Sequence, residues 1–191
     1  MCTVVIAATA WLSADGRGSK QDAELLKRKV ATITAFGDRP SNQLRRTAVT
    51  ESEVNAYLGY DGRAQLPAGV VDPEVSILGT GRLSGRAVVD LDAVRRAKAA
   101  QSWFDPTSYL TGRLPVTATG RLQTNNGIGR FELESASVGG VPVPKLLLQE
   151  IVGYYSRTHE NPSGINIDDP FALPARIREI QVERGQAIIV Q

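Results

Sequence analysis

The 191-residue sequence has few of the side chains from which catalytic and metal sites are commonly built. It contains one cysteine, Cys2, and one histidine, His159. One residue of each type cannot form a Cys/His zinc site, and a lone thiol cannot form a disulfide within the chain. No Walker-type lysine follows a glycine loop. We therefore expect no bound metal, no cofactor and no enzymatic activity.

A strong charge of one sign is also missing. The chain has 22 Lys and Arg against 20 Asp and Glu, a formal net charge of +2. A dedicated nucleic-acid binder needs a strong basic patch, so we expect no nucleic-acid partner. The hydrophobic fraction of 42% is ordinary for a folded protein and excludes wholesale disorder. The length suits one domain with a short appendage.

The apolar run of residues 2–14 is too short to cross a membrane. As a helix it would rise about 20 Å, whereas the hydrocarbon core of a bilayer is roughly 30 Å thick. Its length and small residues fit the apolar part of a signal peptide, although no basic residue precedes it. We interpret residues 1–14 as a signal peptide or its remnant and expect an exported protein. A buried first strand or an ordered tail is the alternative.

Residues 15–47 are predicted to form an amphipathic helix and a polar linker. Four apolar residues recur at helical spacing opposite a basic face: Ala23, Leu26, Val30 and Ile33. Gly37 stands where such a helix would end. A basic amphipathic helix can lie on anionic lipid head groups, so residues 20–36 are a candidate for peripheral membrane contact. An ordinary helix with a solvated basic face is the alternative.

Residues 48–191 are predicted to form an α+β domain. Thr50-Glu51-Ser52-Glu53 is a capping box that predicts a short helix over about 51–59. Alternating apolar residues then predict antiparallel strands with one apolar and one solvated face. Residues 70–78 are predicted to form either a strand pair or one long bent strand, interrupted at Asp72-Pro73. Further strands cover residues 83–91, 114–122 and 131–134. Asn125-Asn126-Gly127 supplies the left-handed residues of a tight hairpin.

The last third of the chain is predicted to contain a broadly apolar helix and a hairpin. Pro144 is well placed to begin a helix over residues 145–158, whose stripe includes Leu147, Ile151 and Tyr154. The stripe needs a large apolar surface, and the concave face of the sheet is the candidate. The segments Ile177 to Val182 and Ala187 to Val190 predict a terminal hairpin.

Two further features have both a structural and a chemical interpretation. His159 could act as a general base with Asp168 or Asp169, but a solvated cation after a helix is the simpler interpretation. Five arginines fall mostly on the solvated side of the predicted strands: Arg82, Arg86, Arg113, Arg121 and Arg130. They favour a solvated outer face, with binding of anionic head groups or an acidic partner as the alternative.

Several segments resemble a known family. The segments that carry the similarity are Thr50 to Leu58, Leu66-Pro67-Ala68-Gly69-Val70, Leu83-Ser84-Gly85-Arg86-Ala87 and Leu114-Pro115-Val116, followed by the long helix and the closing hairpin. Together they are similar to small periplasmic lipoprotein families of the tubular lipid-binding (TULIP) superfamily, over roughly residues 48–191. The chain departs from them in lacking a lipobox cysteine.

The resemblance implies a single module in which a strongly coiled antiparallel sheet wraps around a long amphipathic helix and encloses a groove for a lipid. It carries over no catalytic residue. We therefore predict non-catalytic binding of a lipid or other hydrophobic ligand in the bacterial cell envelope, with lipid carriage as its extension. The resemblance also implies a bacterial protein that is exported and is periplasmic or envelope-associated. The predicted lining of the apolar groove is Val54, Leu58, Val116, Phe131, Leu133, Leu147, Ile151 and Tyr154. A closed-core scaffold or protein-interaction module without a ligand is the alternative.

Overall fold

The computed structural model describes residues 18–39, 43–62, 66–98, 112–157 and 161–191. The predicted signal peptide and His159 lie outside these residues, and for Tyr154 only the backbone is described. The elements in chain order are α1 (Lys20–Gly37), β1 (Arg46–Thr50), α2 (Glu51–Tyr60), β2 (Val70–Gly79), β3 (Arg82–Asp90), α3 (Leu91–Lys98), β4 (Arg113–Asn125), β5 (Ile128–Val138), β6 (Val141–Pro142), α4 (Lys145–Tyr155), β7 (Phe171–Ala172), β8 (Glu179–Glu183) and β9 (Gln186–Val190).

The larger sheet is antiparallel and has the strand order β2-β3-β4-β5-β6, with β7 paired to the other end of β5. Its long central hairpin turns at Asn126 and Gly127, whose φ angles are 50° and 82°. Two successive left-handed residues match the right-handed twist of the flanking strands, as the sequence predicted. The predicted α+β class and antiparallel sheet are therefore confirmed.

Strand β2 is one bent strand rather than a pair. Its register against β3 shifts between Val71 and Glu74, and Asp72 has a φ of 48°. Pro73 has no N–H to donate to the strand ladder. A bulge at this point leaves its position unpaired, so no N–H donor is needed there. The predicted interruption at Asp72-Pro73 is thus a bulge within a continuous strand.

A smaller antiparallel sheet has the order β1-β9-β8. The hairpin of β8 and β9 was predicted, whereas β1 was not. Residues Arg46 to Thr50 pair with Gln186 to Val190, although the two strands are far apart in the sequence. An isolated bridge between Leu78 and Arg184 joins this sheet to the end of β2.

Helix α1 confirms the predicted amphipathic helix and packs mainly against α2. Its buried face consists of Ala23, Leu26 and Ile33, whereas Val30 is 49% exposed. A capping box between Ser19 and Asp22 begins it. Leu25 and Val30 are the large apolar residues of this helix that stay exposed, so peripheral membrane contact through residues 20–36 remains a prediction.

The predicted sheet wrapped around a long helix is not observed. The sheet is neither closed nor strongly curled. Helix α4 is 11 residues long and contacts β5, while Leu146 and Leu147 are 76% and 52% exposed. One physical reason is that α2 occupies the outer edge of β2: Asn55 bonds both backbone groups of Val75. Strand β2 therefore does not close against β5.

Candidate functional site

The candidate site is the apolar face of the larger sheet. Alternation and register bring the same side of β3, β4 and β5 together. The side chains on this face are Leu83, Ala87, Val89, Leu114, Val116, Ala118, Leu122, Phe131, Leu133, Ala136 and Val138, with Gly85 and Gly120 between them. We call this surface the apolar face. Most of its residues are half-buried.

The opposite face of the sheet is charged and solvated. Arg82 and Arg121 lie 2.7 and 3.7 Å from the Glu134 carboxylate, and Arg113 lies 3.3 Å from Asp90. Arg86 pairs with Glu74. These cross-strand pairs confirm the prediction that the strand arginines face away from the apolar set. Exposed pairs of this kind contribute little to stability, so this face is best understood as the solvated surface of the sheet.

A row of small residues crosses the apolar face. Gly85 on β3, Ala118 on β4 and Ala136 on β5 are aligned in register, and Val75 on β2 pairs with Gly85. A Cβ built on Gly85 meets no atom of the described residues within 4 Å. The three gaps between these strands, at ~4.8 Å each, give the row a length of about 14 Å. We call this row the trough.

The neighbouring row is covered. A Cβ on Gly120 would lie 2.4 Å from the end of the Phe131 ring, so that ring lies directly over Gly120. Leu83 and Leu133 flank Gly120 in register. The apolar face therefore contains a bulky row beside a row of small residues that is open over Gly85 and covered at Ala136, which is 8% exposed. The bulky row therefore forms a wall along one side of the trough.

The main buried cluster lies away from the trough. It consists of Ile33, Leu173 and Ile177. Among the described residues, no large side chain is less than 2% exposed. In a closed core of this size, large apolar side chains are commonly fully buried. The described residues thus leave the apolar face only partly covered.

The predicted groove residues occupy four different elements: α2, β4, β5 and α4. Val116, Phe131 and Leu133 share the apolar face, as their alternation predicted. Val54 and Leu58 are half-buried on α2, which packs against β2.

Leu147 and Ile151 lie on α4 and are 52% and 38% exposed. The side chain of Tyr154 lies outside the described residues. Leu147 and Ile151 therefore lie at the surface of a helix that contacts β5. The predicted lining stays a prediction, because no bound ligand tests it.

The trough was not predicted from the sequence. Gly85, Ala118 and Ala136 belong to strands that were predicted, but their alignment depends on the register of three strands. The alternation pattern of each strand shows which face a residue is on. It does not show which residue of the next strand lies beside it.

Two carboxylates near helix starts have shifted acidities. The backbone N–H of Ala93, followed by the hydrogen bond and charge of Arg113, lowers the pKa of Asp90. Hydrogen bonds from the backbone and hydroxyl of Ser19 lower the pKa of Asp22. Both carboxylates cap helices, so the shifts have a structural cause.

Within residues 18–39, 43–62, 66–98, 112–157 and 161–191, no group of three or more His, Cys, Asp or Glu side chains is placed to hold a metal ion. None of the helices in these ranges is both long and apolar enough to span a bilayer.

No family model and no curated protein matches the chain. One similar solved structure is the crystal structure of lipopolysaccharide binding protein, at 16% identity and a TM-score of 0.23. The similarity covers 76% of this chain and 40% of that one, so the chain spans well under half the length of that protein. At this TM-score the similarity carries no argument about fold or ligand.

Proposed function

We propose that this protein binds a lipid or other hydrophobic ligand along the trough, without catalysing a reaction. The observation that carries the proposal is the open space over Gly85 in the middle of an otherwise apolar face. A flat row of small residues beside a bulky row can accept an extended acyl chain of a ligand. The exported, envelope-associated location expected from the sequence is part of the same proposal.

The energetics are compatible with an acyl chain. Each methylene removed from water contributes about 0.8 kcal/mol, so roughly ten methylenes contribute about 8 kcal/mol. The cost of association is of similar size, about 4–15 kcal/mol, so these methylenes by themselves support only weak affinity, with a Kd of roughly 1 mM at best. Weak affinity at an accessible site is suited to carriage of a lipid rather than to its permanent storage.

The test fills the trough without disturbing the strand. Gly85→Leu adds a side chain where the described residues leave room for a Cβ, and leucine tolerates an extended strand better than glycine does. Gln123→Leu is the matched control. It adds the same side chain to an exposed position of β4, on the solvated face.

The measurement is native mass spectrometry of protein purified without detergent, followed by uptake of a pyrene-labelled fatty acid from vesicles. We expect wild type to carry an extractable apolar molecule, Gly85→Leu to take up about tenfold less probe, and Gln123→Leu to match wild type. Equal uptake by all three proteins would place the ligand elsewhere. A bare polypeptide mass with no uptake would exclude ligand binding.

A second candidate function is a protein-interaction module, favoured by the exposed apolar residues beside β6. Val141 and Leu146 are 66% and 76% exposed. Exposed apolar clusters of this kind commonly mark interaction surfaces. Sedimentation velocity measures self-association of wild type and of Leu146→Gln. This candidate is favoured if wild type takes up no probe but self-associates, and if Leu146→Gln abolishes the self-association.

A further inference from the structure

A cavity of about 330 Å³ lies at the C-terminal end of α1, and none of the trough residues lines it. Its lining comes from α1, from the turn between β4 and β5, from the segment before β8, and from Gln191. The lining residues that matter here are Phe36, Arg39, Asn126, Leu173, Arg176, Ile177, Arg178 and Gln191. We call this space the arginine cavity.

The arginine cavity is basic on its exposed side. Arg39, Arg176 and Arg178 line it, and within the described part of the chain none of the three forms an ion pair. Arg45 adds a fourth positive charge nearby, with its guanidinium 5.4 Å from the centre of the Phe36 ring. The carboxylates next to these arginines in sequence are Asp38 and Glu179, and Glu179 accepts a hydrogen bond from Gln181. The positive charge is therefore only partly balanced.

The inner side of the cavity is apolar. Leu173 and Ile177 are 9% and 7% exposed and belong to the buried cluster. The Gln191 amide nitrogen donates to Ile33 O and Ala175 O at 2.9 and 2.7 Å, which ties Gln191 to α1 and to the turn before β8. The Gln191 Oε1 is buried and has no donor among the described residues. Because it is an acceptor, it takes no part in binding an anion.

The backbone holds Arg176 in place. Ala175 and Arg176 have φ angles of 52° and 55°, which residues with a Cβ rarely adopt. The turn is closed by a hydrogen bond from Ile177 N–H to Pro174 O, and a Cβ on Gly37 would lie 2.4 Å from Ala175 O. The turn is thus packed tightly against the end of α1. Its position relative to Arg39 is set by this contact.

From this arrangement we infer that the arginine cavity binds a phosphate group. The planar guanidinium fork matches phosphate oxygens in a bidentate geometry, and three arginines line this one cavity. Its volume of about 330 Å³ is at the lower end of the range of small-molecule sites, which suits a phosphate ester or a lipid head group. The apolar wall would contact the organic part of the ester. This inference is independent of ligand binding in the trough.

The variant that tests the site removes two charges and keeps the side-chain stems. Arg176→Gln/Arg178→Gln is compared with Arg130→Gln, an exposed arginine on the solvated face of β5. Circular dichroism confirms that each protein is folded. The titration uses inorganic phosphate by calorimetry, and vesicles of phosphatidylcholine with and without phosphatidylglycerol by cosedimentation.

We expect wild type to bind phosphate or the phosphatidylglycerol vesicles. We expect the double variant to bind at least roughly tenfold more weakly and Arg130→Gln to match wild type. If free phosphate binds and competes with the vesicles, the site accepts both a soluble phosphate ester and a lipid head group. Binding of the vesicles alone indicates the head group. Failure of wild type in both titrations would overturn the inference, as would equal losses in Arg130→Gln.

A second variant tests direct contact rather than overall charge. Asn126→Asp places a carboxylate in the lining, and aspartate tolerates the left-handed conformation of this turn as asparagine does. Asn125→Asp makes the same charge change one residue away, outside the lining. We expect Asn126→Asp to weaken phosphate binding severalfold more than Asn125→Asp. Equal effects would contradict a site inside the cavity.

Discussion

Lys29 on α1 and Glu53 on α2 form an ion pair in which the carboxylate is buried. Lys29 Nζ lies 2.6 and 2.8 Å from the two Glu53 carboxylate oxygens, and Glu53 is 3% exposed. The same carboxylate accepts the Thr50 N–H at 2.9 Å, and Lys29 also donates to Ala48 O at 2.7 Å. One contact therefore joins α1, the end of β1 and the start of α2.

Removing the lysine should destabilise the fold strongly. Lys29→Met leaves the Glu53 carboxylate buried with the Thr50 amide but without a cation, and we expect the free energy of unfolding to fall by about 2–4 kcal/mol. Urea denaturation followed by circular dichroism measures this. Lys27→Met, at an exposed position of the same helix, should cost less than about 0.5 kcal/mol. Similar losses in both variants would show that the pair has no special role.

Two glycines on the apolar face should respond in opposite ways to the same substitution. Gly120→Ala drives a Cβ into the Phe131 ring and the Glu132 carbonyl, so we expect a loss of about 1–3 kcal/mol. Gly85→Ala meets no atom of the described residues, so we expect no loss or a gain of up to about 1 kcal/mol. Thermal unfolding of the two variants gives the comparison. A large loss at Gly85 would show that the trough is filled.

The side chain of Asn55 protects the free edge of β2. It donates to Val75 O at 2.8 Å and accepts from Val75 N–H at 2.7 Å. Asn55→Ala leaves two backbone groups of a partly buried strand without partners, and we expect a loss of about 2 kcal/mol together with a greater tendency to aggregate. Chemical denaturation and light scattering measure the two effects. Ser52→Ala, at an exposed position of α2, should change neither appreciably.

The carboxylate of Asp90 should make stability depend on pH in the acid range. Its folded pKa is lowered by the Ala93 N–H and by Arg113, so its contribution is present above the unfolded pKa and is lost as the pH falls through the folded one. We expect Asp90→Asn to lower the melting temperature near neutral pH. The difference from wild type should shrink below the ordinary aspartate pKa of about 3.9. A difference that is constant from neutral to acid pH would contradict this account.

Much of the local structure was predictable because its causes lie within a few residues. The capping box of Thr50 and Glu53 is present as predicted, with both reciprocal hydrogen bonds formed. The Asn126-Gly127 turn and the alternation through Val116, Phe131 and Leu133 also gave the correct hairpin and the correct face. These features depend on backbone preference and on the period of apolar residues.

The choice of buried helix was not predictable in the same way. Both α1 and α4 have an apolar stripe, and the stripe of α4 is the broader of the two. The structure buries Ile33 of α1 against Leu173 and Ile177, whereas Leu147 of α4 is half-exposed. An apolar stripe shows that a helix has a face to bury, but it does not identify the surface that will cover that face.

By itself, the sequence determined the helices α1, α2 and α4, the antiparallel hairpins and the two-faced character of the larger sheet, because each of these follows from short-range periodicity and turn chemistry. Only the tertiary structure decided that β1 pairs with β9, that Asn55 occupies the edge of β2, and that Gly85 lies in register with Ala118. These relationships join residues that are distant along the chain. They are selected by which arrangement satisfies the most backbone hydrogen bonds and buries the most apolar surface, a property of the whole fold rather than of any segment.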